Sequence, residues 1–340
     1  MAALDLGTNN CRLLIAHAVG EDFRVVDAFS RAVRLGEGMN GSDMLSEKAQ
    51  ARAIKALHIC AGKIRRHRTR DMRIVATEAC RRARNGRAFI DRAARATGLE
   101  LDIISAEEEA RLAVAGCAPL IEPSAEQLLV FDIGGGSTEL IWVNLRGIPE
   151  AERRGAVRGL SPAGGLASSM SRAAGSRITD WISVPMGVST LCDQFSSIAD
   201  ERARFAAMAT WFEGALSPFA PYDAKDRLEL TDGLQIIGVS GTATTFGALH
   251  LGLQSYDRSK VDGLWLPRPR VDTIAGELLR LGAEGRAQHP GIGRGRSELL
   301  LAGAAIMTTI LRLWPVGALR VADRGLREGM LYGLIQSRLS

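Results

Sequence analysis

This chain of 340 residues has few of the residues that build metal sites, disulfides or base-stacking surfaces. Its five histidines and five cysteines are scattered, with no C-x-x-C pair and no spacing typical of metal ligands. This argues against zinc and against Ser/His or Cys/His nucleophilic chemistry. Unclustered cysteines in odd number are typical of a reducing compartment. Aromatic residues make up only 5% of the chain, so few side chains are available to stack on nucleic-acid bases.

Long apolar segments are also lacking. The longest apolar run covers residues 299–311 and ends at Arg312, well short of the roughly 20 residues that cross a bilayer. The first residues, MAALDLG, show neither the basic segment nor the apolar stretch of a signal peptide. We therefore expect a cytoplasmic protein that does not associate with membranes.

Lysine is scarce among the basic residues, since five of the 43 are lysine and the others are arginine. The charge is also uneven. Residues 63–95, which we name the basic segment, carry 12 basic and three acidic side chains, while the whole chain has a net charge of +5. A concentrated positive charge attracts a polyanion, and the lack of interleaved aromatic residues argues against nucleic acid in that role.

Apolar patterning predicts strands that alternate with helices. The predicted strands cover residues 2–6, 11–19, 23–35, 72–76, 101–104, 128–131, 140–143 and 235–239. A long amphipathic helix is predicted from its cap at Ser46 to about Arg66, and further helices over residues 86–97 and from Ser105 onward. This alternation is typical of the α/β class, and 340 residues exceed what one hydrophobic core usually supports.

One pattern occurs twice. Residues 4–10, LDLGTNN, and residues 131–137, FDIGGGS, both place an aspartate and then a turn of small polar residues after an apolar strand. A second apolar strand follows each turn, as expected for a β-hairpin. The repeat predicts two similar domains, covering residues 1–120 and 121–325. We further expect a helix over about 326–337 to pack back onto the first domain, and a flexible insertion at about 145–180.

The glycine-rich turns suggest a binding chemistry. Turns of small residues expose consecutive backbone N–H groups, and such groups bind phosphate oxygens. A third turn of this type is predicted at residues 240–245, SGTATT. Asp5 and Asp132, at the ends of the hairpin strands, could hold Mg²⁺ through water, as this ion is often held beside phosphates. The alternative is that the turns are ordinary hairpins in which each aspartate only caps.

Two further groups of polar residues have both a functional and a structural interpretation. Glu109 follows two other glutamates at the start of a helix, where acidic residues complement the helix dipole, but it could also deprotonate an attacking water. Thr77, Arg81 and Asn85 are spaced four residues apart, which would place them on one helix face within the basic segment. Arg81 could then bind phosphate oxygens, or the face could simply be solvated.

Together these motifs resemble those of the exopolyphosphatase and guanosine pentaphosphate phosphohydrolase (Ppx/GppA) family, within the sugar kinase/Hsp70/actin superfamily. The similar stretches cover residues 4–16, 33–39, 74–86, 104–112, 131–140, 184–191, 239–253 and 322–335. The most specific combination is DIGGGSTE at 132–139 with EEEARL at 107–112. The resemblance implies an α/β fold of two actin-like, ribonuclease H-like domains with the active site in a cleft between them.

The resemblance also implies roles for particular residues. Glu109 matches the catalytic base, and Arg81 matches a position that contacts the phosphate chain. The implied ligands of Mg²⁺ or Mn²⁺ are Asp5, Asp132 and Glu139. The implied phosphate-binding residues are Thr8, Asn9, Gly134, Gly135, Gly136, Ser137, Thr138, Gly241 and Thr242. This chain departs from the family in having Thr8-Asn9-Asn10 where Ser-Asn-Ser is commoner, and in ending near residue 340 without the C-terminal helical domains of long members.

The activity implied by the resemblance is hydrolysis of the terminal phosphoanhydride of inorganic polyphosphate, with release of orthophosphate. Guanosine pentaphosphate is the second candidate substrate, and no guanine-binding feature is identifiable in the sequence. The residues also leave open a superfamily kinase, or a sensor that binds a phosphorylated alarmone without hydrolysing it. Intact Glu109, Asp132 and Glu139 favour a hydrolase over such a sensor. Family members often form dimers, so a homodimer is a further expectation.

Overall fold

The computed structural model describes residues 1–39, 42–161, 177–219, 221, 231–292, 297 and 299–339. These residues form two compact units. The first unit takes its residues from Met1–Gly116, Val157–Ala174 and Leu326–Ser340, and the second from Cys117–Ala156 and Gly175–Gly325. Each unit is built around its own β-sheet.

The first unit contains a five-stranded sheet in the order β3-β2-β1-β4-β5. Its strands are β1 (Ala2–Leu6), β2 (Asn10–Val19), β3 (Asp22–Ala32), β4 (Met72–Ala76) and β5 (Asp102–Ile103). β1 pairs antiparallel with β2 and parallel with β4. Leu4 and Leu6 are buried on one face of the sheet and Ala3 on the other. Because both faces are covered, β1 is apolar at nearly every position.

Helices cover the two faces of this sheet. They are α1 (Glu47–Arg66), α2 (Glu78–Arg82), α3 (Gly86–Thr97), α4 (Ala106–Gly116) and the C-terminal helix α12 (Leu326–Leu339). α1 begins as predicted, because the Ser46 hydroxyl accepts the Ala49 N–H at 3.3 Å. α1 and α3 pack on the face that contains Leu4, whereas α4 and α12 pack on the opposite face.

The second unit contains a six-stranded sheet in the order β10-β11-β9-β6-β7-β8. Its strands are β6 (Gln127–Ile133), β7 (Thr138–Asn144), β8 (Ile178–Val184), β9 (Leu234–Val239), β10 (Trp265–Pro267) and β11 (Ala318–Ala322). β7 pairs antiparallel with β6 and β8, while β9 is parallel to β6 and β11 is parallel to β9. Taken from β8 to β11, the order and directions repeat those of the first sheet.

The remaining helices surround the second sheet or connect its strands. They are α5 (Glu150–Arg158), α6 (Val188–Gln194), α7 (Glu201–Ala215), α8 (Ser240–His250), α9 (Arg258–Val261), α10 (Arg268–Gln288) and α11 (Leu300–Leu313). α11 contains most of the longest apolar run and lies in the core with Trp142 and Trp314. Within the described residues, every helix is too short or too polar to pass through a bilayer.

The two sheets confirm the predicted α/β class, with the strand order of the ribonuclease H-like, actin-like fold. The structure differs from the predictions at the insertion and at the third turn. The ends of the predicted insertion form α5 and the start of β8, while its residues 162–176 lie outside the described residues. Residues 240–245 begin α8 instead of a turn, and the hydroxyls of Thr244 and Thr245 donate back to the carbonyls of Ser240 and Gly241.

The least exposed arginine among the described residues lies in the second unit. Arg286, in α10, is 2% exposed, and its guanidinium donates to both carboxylate oxygens of Glu201 at 2.7 and 2.8 Å. Its other bonds go to the carbonyls of Leu278 and Ser297. The bonded guanidinium holds the pKa of Glu201 below its ordinary value. The contribution of this pair to the free energy of unfolding is fully present above the pKa of the unfolded Glu201 carboxyl. It is lost as the pH falls through the lower pKa of the folded carboxyl.

We predict that Glu201→Gln lowers the free energy of unfolding at pH 7 by about 3 kcal/mol, because Arg286 stays buried without its charge partner. The difference from the native chain should shrink as the pH falls below about 4, because the unfolded carboxyl takes up its proton at a higher pH than the folded one does. Urea unfolding at both pH values measures this. The control is Glu213→Gln, in the same helix as Glu201, which removes a more exposed pair with Arg312. It should lower the free energy of unfolding by less than about 1 kcal/mol. Equal losses in the two variants would contradict the prediction.

Candidate active site

The hairpin turn of the first unit joins β1 to β2 and carries Thr8 and Asn9. It is closed by the Gly7 N–H, which donates to the Asn10 carbonyl at 2.9 Å. From the segment after β3, the Gly36 N–H donates to the Thr8 carbonyl at 3.1 Å. A Cβ at position 36 would lie 2.6 Å from the Thr8 methyl group. The segment after β3 therefore fixes the turn and needs a glycine at this contact.

Asp5 lies in β1, two residues before this turn, and is paired in register with Arg12 of β2. Its Oδ1 atom is shielded from solvent and has no hydrogen-bond partner among the described residues. Burial raises the pKa of this carboxyl, and the guanidinium groups of Arg12 and Arg327 oppose the shift. A buried acceptor without a donor is costly. Asp5 therefore has the capacity to accept a hydrogen bond from a ligand or a metal-bound water.

Each of the three consecutive glutamates at the start of α4 pairs with a different arginine. The pairs are Glu107–Arg111 at 2.6 Å, Glu108–Arg73 at 2.8 Å and Glu109–Arg81 at 3.1 Å. Glu109 has the least exposed side chain of the three, at 17% against 47% for Glu107 and 27% for Glu108. Tertiary placement thus distinguishes three residues that are equivalent in local sequence.

Arg81 links two glutamates. Its Nε and Nη2 atoms donate to Glu78 Oε2 at 3.1 and 2.5 Å, and its Nη1 atom donates to Glu109 Oε2 at 3.1 Å and to the Ile104 carbonyl at 2.9 Å. Burial by itself would lower the pKa of Arg81, but the Glu109 and Glu78 carboxylates outweigh it and raise the pKa. The guanidinium therefore stays charged. The contact of Arg81 with the phosphate chain, which the family resemblance implied, remains a prediction.

Thr77, Arg81 and Asn85 do not share one helix face, so that prediction was wrong. α2 begins after Thr77 and has only five residues, because Ala83 takes an extended backbone conformation. Asn85 instead bonds the backbone of Leu45, accepting its N–H at 2.8 Å and donating to its carbonyl at 2.9 Å. The spacing of four residues was compatible with a helix, but the chain turns within it.

The basic segment is divided between opposite ends of the first sheet. Residues 65–70, which include four exposed arginines, precede β4, whereas Arg82, Arg84 and Arg87 follow it. β4 is parallel to β1, so only the second group lies at the end of the sheet that carries the hairpin turn. A strand of this length separates the groups by about 16 Å. The basic segment therefore does not form the single concentrated positive charge that was predicted, because its exposed arginines lie in two groups at opposite ends of β4.

The hairpin of the second unit joins β6 to β7 and repeats the first. The Gly134 N–H donates to the Ser137 carbonyl at 2.9 Å. Asp132 and Glu139 are paired in register across the two strands. Glu139 is 3% exposed, and its carboxylate accepts from the Ser183 hydroxyl of β8 at 2.9 Å. Ser183, which no sequence motif indicated, thus positions one of the predicted metal ligands.

The start of α6 holds this turn from outside. The Val188 N–H donates to the Gly134 carbonyl and the Ser189 N–H to the Gly135 carbonyl, both at 2.9 Å. Gly187 approaches so closely that a Cβ there would lie 2.6 Å from the carbonyl carbon of Gly135. α6 can hold the turn in this way only with glycine at position 187.

These contacts also orient the N–H groups of the turn. In a trans peptide the C=O and N–H groups point to opposite sides. Because the carbonyls of Gly134 and Gly135 face α6, the N–H groups of Gly135 and Gly136 point away from it. Consecutive N–H groups in a turn bind anions. Gly187 lies in a family-like stretch, but its role could not be predicted because it depends on which backbone it contacts.

Thr138, one of the residues expected to bind phosphate, uses its hydroxyl for a contact within the protein. Its side chain is fully buried, and its hydroxyl donates to the Met186 carbonyl at 2.8 Å. Ser137 is buried as well, at 3% exposed. The Thr138 hydroxyl therefore fixes the hairpin to the segment before α6.

The third predicted turn is the N-terminus of α8. Ser240 has a φ of +98°, which is unusual for a residue with a side chain, and its buried Oγ has no partner among the described residues. The first N–H groups of a helix, here those of Gly241 and Thr242, have no partner within it and bind anions. Thr242 is packed closely, since a Cβ on Gly303 of α11 would lie 2.7 Å from its methyl group.

The predicted metal ligands do not form a preassembled cluster. In the part of the chain that the structure describes, no three His, Cys, Asp or Glu side chains lie close enough to bind one metal ion. Carboxylates are nevertheless the donors that Mg²⁺ prefers, and this ion keeps several water ligands. The buried Oδ1 of Asp5, which lacks a donor, fits an ion held through water.

Two α/β units with glycine hairpins beside strand-end carboxylates define an actin-like protein with turns suited to phosphate. The particular family follows from comparison with known proteins. The chain belongs to the Ppx/GppA phosphatase family, whose model matches residues 14–338. This confirms the family that the sequence motifs indicated.

Solved structures agree with this assignment. A Ppx/GppA family member from Aquifex aeolicus is 25% identical, with a TM-score of 0.75, and the match covers 100% of this chain and 98% of that one. An exopolyphosphatase-like protein is also 25% identical, with a TM-score of 0.81 and coverage of 100% and 98%. An exopolyphosphatase from Cytophaga hutchinsonii shares the fold, with a TM-score of 0.80, 22% identity and coverage of 98% and 97%.

We predict that Gly187→Ala lowers the free energy of unfolding by about 1–3 kcal/mol, because the added methyl group overlaps the Gly134–Gly135 backbone. Urea unfolding followed by tryptophan fluorescence measures the loss. Gly276→Ala in α10 is the matched control, since a Cβ there meets no atom within 4 Å. It should be neutral or slightly stabilising. A Gly187→Ala protein as stable as this control would contradict the proposed contact.

Proposed function

We propose that this protein hydrolyses the terminal phosphoanhydride of inorganic polyphosphate and releases orthophosphate in a reaction that needs Mg²⁺ or Mn²⁺. Membership of a phosphatase family supports a hydrolase of phosphate compounds. The observation that carries the proposal is the glycine turn between β6 and β7, whose N–H groups are oriented by its contacts with α6. The strands on either side of this turn carry Asp132 and the buried Glu139, which are paired in register. N–H donors and carboxylates in one hairpin suit a phosphate group with its metal ion.

The terminal phosphate is bound, in this proposal, by backbone groups more than by side chains. The N–H groups of Gly135 and Gly136 point away from α6, and those of Gly241 and Thr242 stand at the start of α8. Fixed N–H donors of this kind stabilise charge that develops on phosphate oxygens and need no reorganisation during the reaction. Thr8 and Asn9 are proposed as further contacts, on a turn whose Thr8 carbonyl is bound by the Gly36 N–H.

Asp132 and Glu139 are the residues proposed to hold the metal ion, together with Asp5. Their carboxylates are hard oxygen donors, and the Ser183 hydroxyl fixes the orientation of Glu139. When bound, the ion would neutralise negative charge on the substrate oxygens. Asp5 could accept a hydrogen bond from one of its water ligands through the buried Oδ1.

Glu109 is proposed to orient the attacking water and accept its proton. It is the least exposed of the three glutamates of α4, and Arg81 fixes its carboxylate. Both features suit a general base, which must be positioned within hydrogen-bond reach of its water. The exposed arginines after β4, Arg82, Arg84 and Arg87, are proposed to attract the distal phosphates. Their contribution should weaken as salt screens it.

We predict that Glu109→Gln lowers kcat for phosphate release from polyphosphate by about 10²–10⁴-fold, with KM nearly unchanged, because the variant keeps the shape but cannot accept a proton. Phosphate release in the presence of Mg²⁺ is the measurement. Glu108→Gln is the matched control, since Glu108 occupies the same helical turn and pairs with Arg73 instead. It should stay within a few-fold of the native chain.

Several outcomes of that assay would overturn the proposal. Equal activity of Glu109→Gln and Glu108→Gln would remove Glu109 from the role of base. Tight polyphosphate binding by the native chain without phosphate release would indicate a sensor. Faster release from guanosine pentaphosphate than from polyphosphate would make the nucleotide the substrate.

We predict that Asp132→Asn raises the Mg²⁺ concentration for half-maximal activity by about 10–100-fold, because a carboxylate ligand becomes a neutral amide. A magnesium titration of phosphate release, after treatment with a chelator, measures the shift. Asp193→Asn, an exposed position near the end of α6, is the control and should leave the titration unchanged. An unchanged midpoint in Asp132→Asn would exclude Asp132 as a ligand.

A further inference from the structure

Glu78 is a buried carboxylate to which the sequence motifs assign no role. It is the first residue of α2 and is 8% exposed. Its Oε2 atom accepts two hydrogen bonds from Arg81, at 2.5 and 3.1 Å, and its Oε1 atom lies 3.9 Å from Arg82. Burying an acid is costly unless it is paired, and Arg81 is the main hydrogen-bond and charge partner of Glu78.

Arg81 is held from three sides. Glu78 binds the Nε and Nη2 side of its fork, while the Ile104 carbonyl and Glu109 share Nη1. Four of its five N–H donors are therefore used within the first unit, and a phosphate could not accept from two N–H groups of Arg81 without displacing one of these acceptors. The position of Glu109 is thus tied through Arg81 to that of Glu78.

We propose that Glu78 is a positioning residue for the hydrolysis proposed above, holding Arg81 so that Arg81 orients the Glu109 carboxylate and sets its basicity. The inference rests on the proposed function, since it assigns Glu109 the role of base. The side chains of the three residues are only 11%, 22% and 17% exposed. Charges in such surroundings influence one another more than exposed pairs do.

The arrangement of charge predicts that Glu78 and Arg81 have opposite effects on the basicity of Glu109. In the native chain the positive charge of Arg81 is shared by two carboxylates. Removing the charge of Glu78 leaves Arg81 to act on Glu109 alone, which favours the anionic form of Glu109 and makes it a weaker base. Removing the charge of Arg81 has the opposite effect, because Glu109 then faces Glu78 without an intervening cation. If Glu78 and Arg81 had only a structural role, removing their charges would not shift the basicity of Glu109 in opposite directions.

The test is the pH dependence of kcat/KM for phosphate release in Glu78→Gln and Arg81→Gln. We expect the acid limb, where the base becomes protonated, to move down by about one pH unit in Glu78→Gln and up by about one unit in Arg81→Gln. We also expect kcat of Glu78→Gln to fall about tenfold, part of what a general base contributes. Arg81→Lys, which keeps the charge, should leave the limb near its native position.

Two further variants keep the test decisive. Arg73→Gln removes the partner of Glu108 in the same turn of α4 and should leave the acid limb unmoved. Glu78→Asp keeps the charge but shortens the side chain, so kcat should fall without a shift of the limb, even if Glu78→Gln folds poorly. Activity lost in Glu78→Gln and Arg81→Gln with unmoved limbs would overturn the positioning role, while an inactive Glu109→Gln would leave the proposed function standing.

Discussion

The site depends on backbone carbonyl groups that are held from one side. In the second unit, α6 binds the carbonyls of Gly134 and Gly135, and the peptide N–H groups must then face the other way. The first unit holds its own hairpin by a different device, the segment after β3, which binds the Thr8 carbonyl. The corresponding turns of the two units are thus fixed by structurally unrelated segments. In both places a glycine, Gly187 or Gly36, is required because any side chain would overlap the turn.

Carboxylates in this protein are placed by their charge partners. Three adjacent glutamates of α4 pair with three different arginines, and two of these arginines also bind a second acid: Arg81 binds Glu78, and Arg73 binds Asp102. Removing charges from water is costly, so each partly buried carboxylate must be paired or given hydrogen-bond donors. Glu139 is held by Ser183 for the same reason. Asp5 differs, because its Oδ1 has no donor among the described residues, and this makes it suited to a ligand.

Much of the fold was predictable because it follows from local patterns. The cap at Ser46 and the apolar strands β1, β4 and β6 occur close to where their patterns placed them. The LDLG and FDIG repeat indicated the two hairpins, since a short apolar strand followed by a glycine turn can form few different structures. Predictions failed where two local structures were compatible with the same residues. SGTATT could form a turn or the start of a helix, and residues 77–85 could form one continuous helix or a short helix that ends before Asn85.

The sequence by itself determined the α/β class, the doubled hairpin and the family, because each is encoded in short stretches whose chemistry allows little else. Only the tertiary structure decided which of three glutamates meets Arg81, that Gly187 closes on the turn, and that β4 divides the basic segment. These depend on contacts between residues far apart in the chain, and spacing along a sequence carries no information on which surfaces will pack together.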